Sequence, residues 1–362
     1  MDKQTVAVLF GGRSSEHSIS SATAGGVLQA IDRDRFDVIP VGITRAGAFV
    51  LEQDDAAKFA LNAESMPEVL DNGSRVLWPQ PDGDRTLRVV HADGSVTDHG
   101  EIDVVLPLLH GLHGEDGAIQ GFFDVLEIPY AGCGILDSAV SLDKHFTKLA
   151  LSSAGIQVAS GITVRHREWT QDAAAVRARI TELGDTVFVK PASAGSSVGV
   201  SRVVDGEGID EALRIAFAED PKVLVETSIT GREIEVGVLA GRNGSPARAS
   251  LPGEVVLTTR DFYDFEGKYL GGDGVEIVCP ADVDASLIER LRETALRAFE
   301  AVDGQGLARV DFFVTPQGEL IVNELNTMPG FTPISMFPKC WVASGLSYTD
   351  LITELIEGGL GR

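Results

Sequence analysis

The sequence predicts an α/β protein whose first part is built on a parallel sheet, and three observations carry that reading. The apolar run Thr5-Val-Ala-Val-Leu-Phe10 ends in Gly11-Gly12, a loose helical stripe (Ile19, Ala22, Val27, Ala30) follows, and Phe36-Asp-Val-Ile-Pro-Val-Gly-Ile43 is the next strand. Strand, helix and strand with short links make a βαβ unit, hence a parallel pair. The same pattern resumes at Ile102-Asp-Val-Val-Leu-Pro-Leu-Leu109, with a Gly-rich turn over 110–117 and a helix to about Glu127. Composition agrees: 362 residues, 44% hydrophobic and 23% charged, is ordinary globular material, sufficient for two or three domains at roughly 100–200 residues each.

The remaining elements follow in order. Residues 44–100 are polar and turn-rich and read as an elaboration rather than a domain. A helix is expected over 141–154, then strands at Thr186–Lys190 and Val198–Val204 joined by the loop Pro191-Ala-Ser-Ala-Gly-Ser-Ser197. After a short helix at 209–218 come strands at 223–226, 232–240 and 247–257. Residues 258–275 show little periodicity, and a loop of that length in a compact domain is usually a lid or a binding loop. A helix at 284–302, a hairpin at 307–326 and a helical C-terminal segment complete the chain. Boundaries fall near 132 and 226.

Charge and composition exclude several function classes. With 30 Lys and Arg against 54 Asp and Glu the net charge is −24, which argues against nucleic acid or an anionic membrane as partner. Three cysteines, Cys133, Cys279 and Cys340, are too few and too scattered for a disulfide framework or a zinc site. The start lacks the h-region of a signal peptide, and no apolar stretch approaches the roughly 18–20 residues that span a bilayer. A reducing, cytoplasmic setting is the expectation.

The hairpin Leu307–Val314 / Glu319–Asn326 carries the strongest chemical signal. A two-residue turn at Gln317-Gly318 sets Asp311 opposite Glu324 and Arg309 opposite Asn326, with facing Cβ atoms about 4.5–5.5 Å apart. Period-2 alternation puts Arg309 and Asp311 on one face. Opposed carboxylates repel unless a cation lies between them, and an oxygen-only set suits Mg²⁺ with substrate phosphates. The other reading is a solvent face on which Arg309 neutralises the acids; spacing alone leaves both open.

Lysines are scarce, 8 among the 30 basic residues, so Lys144, Lys190 and Lys268 stand out. Each is a compact point charge suited to phosphate oxygens, and each taken singly could be a surface lysine. The loop after Lys190, with Gly195-Ser196-Ser197, can offer backbone N–H groups to a phosphate tail. No Walker-type loop and no dinucleotide glycine fingerprint is present. His110-Gly-Leu-His-Gly-Glu-Asp-Gly117 and Glu16 lie at C-terminal ends of parallel strands, where ligands of open α/β sheets gather. The bland alternative is a turn in which Glu115 and Asp116 cap a helix.

Taken in order, these motifs resemble the D-alanine–D-alanine ligases of the ATP-grasp superfamily over nearly the whole chain. The resemblance rests on Val8–Glu16, His110–Gly117, Leu142-Asp-Lys144, Val189-Lys-Pro191 with Gly195–Gly199, Tyr263–Tyr269, Arg309-Val-Asp311 and Asn323–Gly330. It implies three α/β domains (1–132, 133–226 and 227–362), the first Rossmann-like, with ATP between the central and C-terminal ones. It implies ligation of two D-alanines through an acyl phosphate, in a homodimer. Asp311, Glu324 and Asn326 would be ligands of two Mg²⁺ (or Mn²⁺) ions. Lys144, Lys190 and Lys268 would meet phosphates, Glu226 the adenine amino group and Glu233 the ribose. Glu16 would bind the first substrate's ammonium, networked with Ser196 and Tyr269. His110 and Ser335 would line the acceptor site, and Arg309 with the Gly330 N–H would stabilise the oxyanion. Tyr269 favours an amine acceptor over D-lactate; D-serine, or a relative without catalysis, is the alternative.

Overall fold

The computed structural model describes residues 3–61, 66–81, 84–257 and 275–361. The chain begins with β1 (Gln4–Gly11), α1 (His17–Ala30), β2 (Phe36–Ile43) and β3 (Phe49–Leu51). The segment read as an elaboration contains β4 (Arg75–Leu77), β5 (Thr86–Val90) and β6 (Val96–Glu101), which form their own antiparallel sheet. Its signal was the alternation in Thr86-Leu-Arg-Val-Val90, where Leu87 and Val89 turn inward with Trp78 onto Phe123 and Tyr130. Next come β7 (Val104–Pro107) and α2 (Ala118–Val125). The main sheet runs β3-β2-β1-β7, with β1 parallel to both β2 and β7, as the βαβ pattern predicts.

The expected single helix at 141–154 is two, α3 (Ile135–Leu142) and α4 (Lys144–Ser153). Asp143 breaks it: its carboxylate accepts the N–H groups of His145 and Phe146 and so starts a new helix. There follow β8 (Gly161–Arg165), α5 (His166–Gln171), α6 (Ala173–Thr181), β9 (Thr186–Pro191), β10 (Ser201–Val204), α7 (Ile209–Glu219) and β11 (Lys222–Thr227). The strands make an antiparallel sheet, β10-β9-β11-β8, over a core that includes Val164, Val189, Leu213 and Val225.

The last part holds β12 (Arg232–Leu239), β13 (Arg248–Ala249), β14 (Gly253–Leu257), β15 (Val275–Val278), α8 (Ala285–Ala301), β16 (Leu307–Val314), β17 (Leu320–Asn326), α9 (Met336–Ala343) and α10 (Tyr348–Leu360). The strand expected over 247–257 is thus two short ones. The segment 258–275, expected to be a lid or binding loop, lies outside the described residues except where Val275 opens β15. The sheet order is β15-β14-β12-β16-β17, with β13 on β12, and α8 covers one face through Leu291, Ala295 and Phe299. Helix α10 returns to the first sheet: Leu351, Ile352, Leu355 and Ile356 share one core with Val6, Val8 and Val104.

The turn between β16 and β17 is a three-residue loop, Pro316-Gln317-Gly318, closed by Thr315 N–H on the Glu319 carbonyl and relieved by φ +78° at Gly318. That shifts pairing by one residue relative to the expected two-residue turn, giving Phe312 opposite Val322. A bulge at Asn323 then restores the count, so that Asp311 does face Glu324 and Arg309 does face Asn326.

Candidate active site

Three groups of side chains converge where the sheets meet. On the C-terminal sheet, Arg309 grips Asp311 with two parallel hydrogen bonds, Nε and one terminal nitrogen each 2.7 Å from a carboxylate oxygen. Arg309 Nε is also 2.8 Å from Glu235 Oε2 on the next strand, and Asn326 Nδ2 donates to Asp311 at 3.0 Å. The face is not a solvent face, since Asp311 and Glu235 are both buried. Burial opposes the Arg309 charge, but the two acids outweigh it and raise its pKa. The opposite strand face is core, with Val310, Phe312 and Leu325 buried.

Asp311, Glu324 and Asn326 therefore offer two carboxylates and an amide. Among the described residues no cluster of three or more His, Cys, Asp or Glu side chains forms a metal centre. An oxygen set this small fits a hard cation that completes its shell with substrate oxygens and water. The residues fit that use, and fit a closed structural metal site poorly.

The second group lines a cavity of about 340 Å³ between β9, β11, β12 and the hairpin, which Glu233, Phe188 and Phe313 also border. Glu226, almost fully buried, is held between Lys148 (2.8 Å) and Lys190 (2.9 Å). Both ammonium groups reach the bulge residue Asn323 as well, Lys190 at its side-chain oxygen and Lys148 at its carbonyl, each at 3.3 Å. Burial alone would raise the Glu226 pKa; the two lysines reverse this and bring it to about 2. Lys144 donates to the Ala194 carbonyl at 2.7 Å and lies 3.8 Å from Glu324, tying the Gly/Ser loop to the hairpin.

That loop is strained. Ser196 and Ser197 hold φ +49° and +59°, left-handed values that side chains other than glycine rarely take. Ser196 borders the cavity and donates through Oγ to Glu16, so the loop connects the second group to the third. Glu16 is buried at the start of α1. Gly111 and Gly195 crowd it so closely that a Cβ on either would lie 2.8 Å from Glu16 Oε2. Burial lowers the His110 pKa against the charge of Glu16; Nδ1 is 2.8 Å from the Met328 carbonyl, and Nε2 is 3.2 Å from the Thr23 hydroxyl. Ser335 precedes α9 but leaves its cap open, bonding Thr332 Oγ1 at 2.7 Å instead. Gly330 is buried in the loop between β17 and α9.

The structure thus brings together Glu16 and Ser196; Lys190 and Glu226; and Arg309, Asp311 and Asn326. Lys268 and Tyr269 lie outside the described residues. Sequence reasoning missed four partners. Glu235 was legible as an acid inside the apolar strand Ile234–Leu239, and Lys148 lies one turn beyond Lys144. Asn323 opens the motif Asn323–Gly330, but its contact with the lysines depends on the bulge, which had no signal. Glu115 was weighed only as a helix cap; that work falls to Asp116, which accepts from Ala118 N–H. Glu115 instead accepts the N–H of Gly111 at 2.7 Å and of Met328 at 2.9 Å, joining the first sheet's loop to the one after β17.

Burial, then the nearby Glu16 charge, push the Glu115 pKa up to about 8, against the pull of the two N–H groups and Arg309. A raised folded pKa means that the stability drawn from this group is complete below its ordinary value of 4.5 and is lost as pH rises through about 8. Glu115→Gln has no proton to lose, so its melting temperature should fall less steeply from neutral to alkaline pH than that of the parent. Parallel curves would refute this placement of the proton.

Residues 5–133 match the family model described as D-ala D-ala ligase N-terminus, and residues 150–357 match the one described as D-ala D-ala ligase C-terminus. The chain is 50% identical to a D-alanine–D-alanine ligase of Arthrobacter sp. (strain FB24) over 99% of its length and 95% of that protein's. A Streptomyces avermitilis protein of the same name is 45% identical over 99% of this chain and 95% of its own. Among solved structures, a D-alanine-D-alanine ligase from Coxiella burnetii superposes with a TM-score of 0.84 at 33% identity, covering 99% of this chain and 94% of the other. The VanG D-Ala:D-Ser ligase from Enterococcus faecalis gives 0.83 at 33%, covering 99% and 100%. The ATP-grasp architecture goes with these matches, and the chain belongs to the D-alanine–D-alanine ligase family.

Proposed function

We propose that this chain joins two molecules of D-alanine in an ATP-dependent reaction, giving D-alanyl-D-alanine, ADP and phosphate for peptidoglycan precursor synthesis. The observation that carries the reading is Arg309. It lies against Asp311 and Glu235 beside the cavity of Lys190 and Glu226, and its charge reaches His110 and Glu115 of the other cluster. A nucleotide phosphate and an amino-acid carboxylate can meet only where two such groups adjoin.

A carboxylate is a feeble acyl donor, so phosphorylation must first give it a leaving group; the amine of the second D-alanine then displaces phosphate. Glu16, steadied by Ser196, holds the ammonium of the first D-alanine. His110, whose pKa burial lowers, borders the acceptor, and the lowered pKa disfavours a positive charge that would repel the acceptor's amine. Ser335 binds the acceptor carboxylate, and Arg309 with the Gly330 N–H takes the charge that develops on the attacked carbonyl. Lys144, Lys190 and Lys268 receive the phosphates, Glu226 the adenine and Glu233 the ribose. Tyr269 joins the Glu16–Ser196 network. Two Mg²⁺ or Mn²⁺ ions held by Asp311, Glu324 and Asn326 would neutralise phosphate charge. We read three units, 1–132, 133–226 and 227–362, in a cytoplasmic homodimer; among the described residues no helix is long and apolar enough to cross a membrane.

Phosphate release from Mg-ATP, with and without D-alanine and with the product identified by mass, tests this. D-alanine-dependent release with dipeptide is expected. Release without dipeptide would transfer the reading to a D-serine or D-lactate acceptor, and ATP binding without any release would overturn it.

A further inference from the structure

Cys279 and Cys340 lie 61 positions apart in the chain, yet their sulfur atoms are 3.6 Å apart. Cys279 directly follows β15 and is half-buried, while Cys340 sits within α9 and is fully buried. With Val255, Ile277 and Met336 they make a small apolar cluster separate from the main cores. It is tightly filled: a Cβ placed on Gly253 would lie 2.2 Å from the Met336 sulfur and 3.0 Å from that of Cys340. Cys133 is unlike them, buried elsewhere with its sulfur 2.9 Å from the Leu307 carbonyl and 3.0 Å from that of Gln305.

The pair is also chemically asymmetric. The contact between the two thiols, and then the charge of Lys339, lower the Cys279 pKa against the effect of its burial. The same contact and deep burial raise that of Cys340. A half-buried thiol with a lowered pKa beside a buried one with a raised pKa is the division of labour found in attacking and resolving cysteines.

We propose that Cys279 and Cys340 are a reversible dithiol–disulfide switch, with a hydroperoxide as oxidant and a small thiol as reductant. The Cys279 thiolate attacks one peroxide oxygen, the O–O bond breaks, and a sulfenic acid and hydroxide result. Cys340 sulfur then displaces the sulfenic hydroxyl, and its proton leaves with that hydroxyl as water. In sum the two thiols lose two protons and two electrons, and hydrogen peroxide becomes two waters. A small thiol reverses the change by exchange.

The consequence follows from lengths. A disulfide bond is about 2.05 Å long, so the sulfurs must approach by roughly 1.5 Å from their 3.6 Å separation. The two elements that carry them are α9 and the end of β15. Ser335 immediately precedes α9, and Cys340 lies within 4.0 Å of the backbone carbonyl of Glu235, whose side chain holds Arg309. Displacing the start of α9 moves Ser335 relative to Arg309. This consequence rests on the reading of Ser335 as the acceptor contact, and misplacement on this scale costs up to about 10²-fold in rate.

The test treats the full chain with one equivalent of hydrogen peroxide and reads chemistry and activity separately. Titratable thiols should fall from three to one. A digest should yield the Cys279 and Cys340 peptides joined and lighter by two hydrogens, and dithiothreitol should restore all three thiols. Dipeptide synthesis should fall about tenfold or more, chiefly through KM for the acceptor, and recover with dithiothreitol. Cys279→Ser should keep both remaining thiols and its full rate under the same treatment. Sulfinic acids without a crosslink would overturn the proposal, as would a crosslink that leaves the rate unchanged or equal inactivation of Cys279→Ser. The crosslink is read by mass alone, so it is decided even if the reduced chain makes no dipeptide and the ligase reading fails.

Discussion

Arg309→Lys should lower kcat for dipeptide formation by about 10²–10³-fold, the usual cost of removing one donor that stabilises a developing oxyanion. KM for ATP should change little. The guanidinium spans Asp311 and Glu235 with a planar fork, using Nε towards both acids and a second nitrogen to complete the grip on Asp311. An ammonium keeps the charge between the two carboxylates but can hold neither in two-point geometry. The variant should therefore fold, with its melting temperature close to that of the parent, while the oxyanion donor and the orientation of Asp311 are both lost. Arg309→Ala is the contrasting variant: it leaves Asp311 and Glu235 buried and adjacent without their cation, a change that costs about 3–5 kcal/mol. Measured side by side, the two substitutions separate catalysis from stability. An Arg309→Lys protein with parental kcat would remove Arg309 from the reaction.

That arginine also marks how far the sequence could be read. The facing of Asp311 and Glu324 was inferred from a two-residue turn that the chain does not have. The longer Pro316–Gly318 loop moves the register one way and the bulge at Asn323 moves it back. The conclusion held because two departures cancelled, and neither had a distinct mark in the sequence, since bulges need no special residue type. The parallel β1, β2 and β7 were legible because strands buried on both faces read as unbroken apolar runs. By contrast β4 has only three residues and β6 is exposed along nearly its whole length, so neither shows an apolar run and their stretch looked like turns.

The partners of the site residues were harder to see than the residues themselves. A lone acid or lysine in a strand can be flagged, but its partner is set by how sheets pack, over separations such as that from Glu115 to Met328. Lys190 and Glu226 were both identified as nucleotide contacts, yet nothing in their spacing said that they bind each other. Register across adjacent strands could have suggested it, because Lys190 pairs with Leu224 and so lies near Glu226 on the same sheet face.

The Lys148–Glu226–Lys190 triad leads to the second large effect. Glu226→Gln leaves the buried Lys148 and the mostly buried Lys190 without their shared counter-ion, and should destabilise the chain by about 3–5 kcal/mol in urea titration at neutral pH. The pH dependence carries the same signature. The folded pKa of Glu226 is about 2 against an ordinary 4.5, so its stabilising contribution is present above about 4.5 and lost as pH falls through about 2. The parent should lose stability over that interval, and Glu226→Gln, already lacking the contribution, should show a flatter acid limb. The double variant Glu226→Gln/Lys148→Met removes one of the stranded charges and should regain a good part of the loss, since deleting a buried pair costs less than breaking one. It should not regain ATP binding, read as the shift in melting temperature with Mg-ATP, if Glu226 receives the adenine. Recovery of both together would make Glu226 a purely structural counter-ion. Recovery of stability alone would show that one carboxylate serves two tasks, holding Lys148 and Lys190 in place and then meeting the base that their cavity admits.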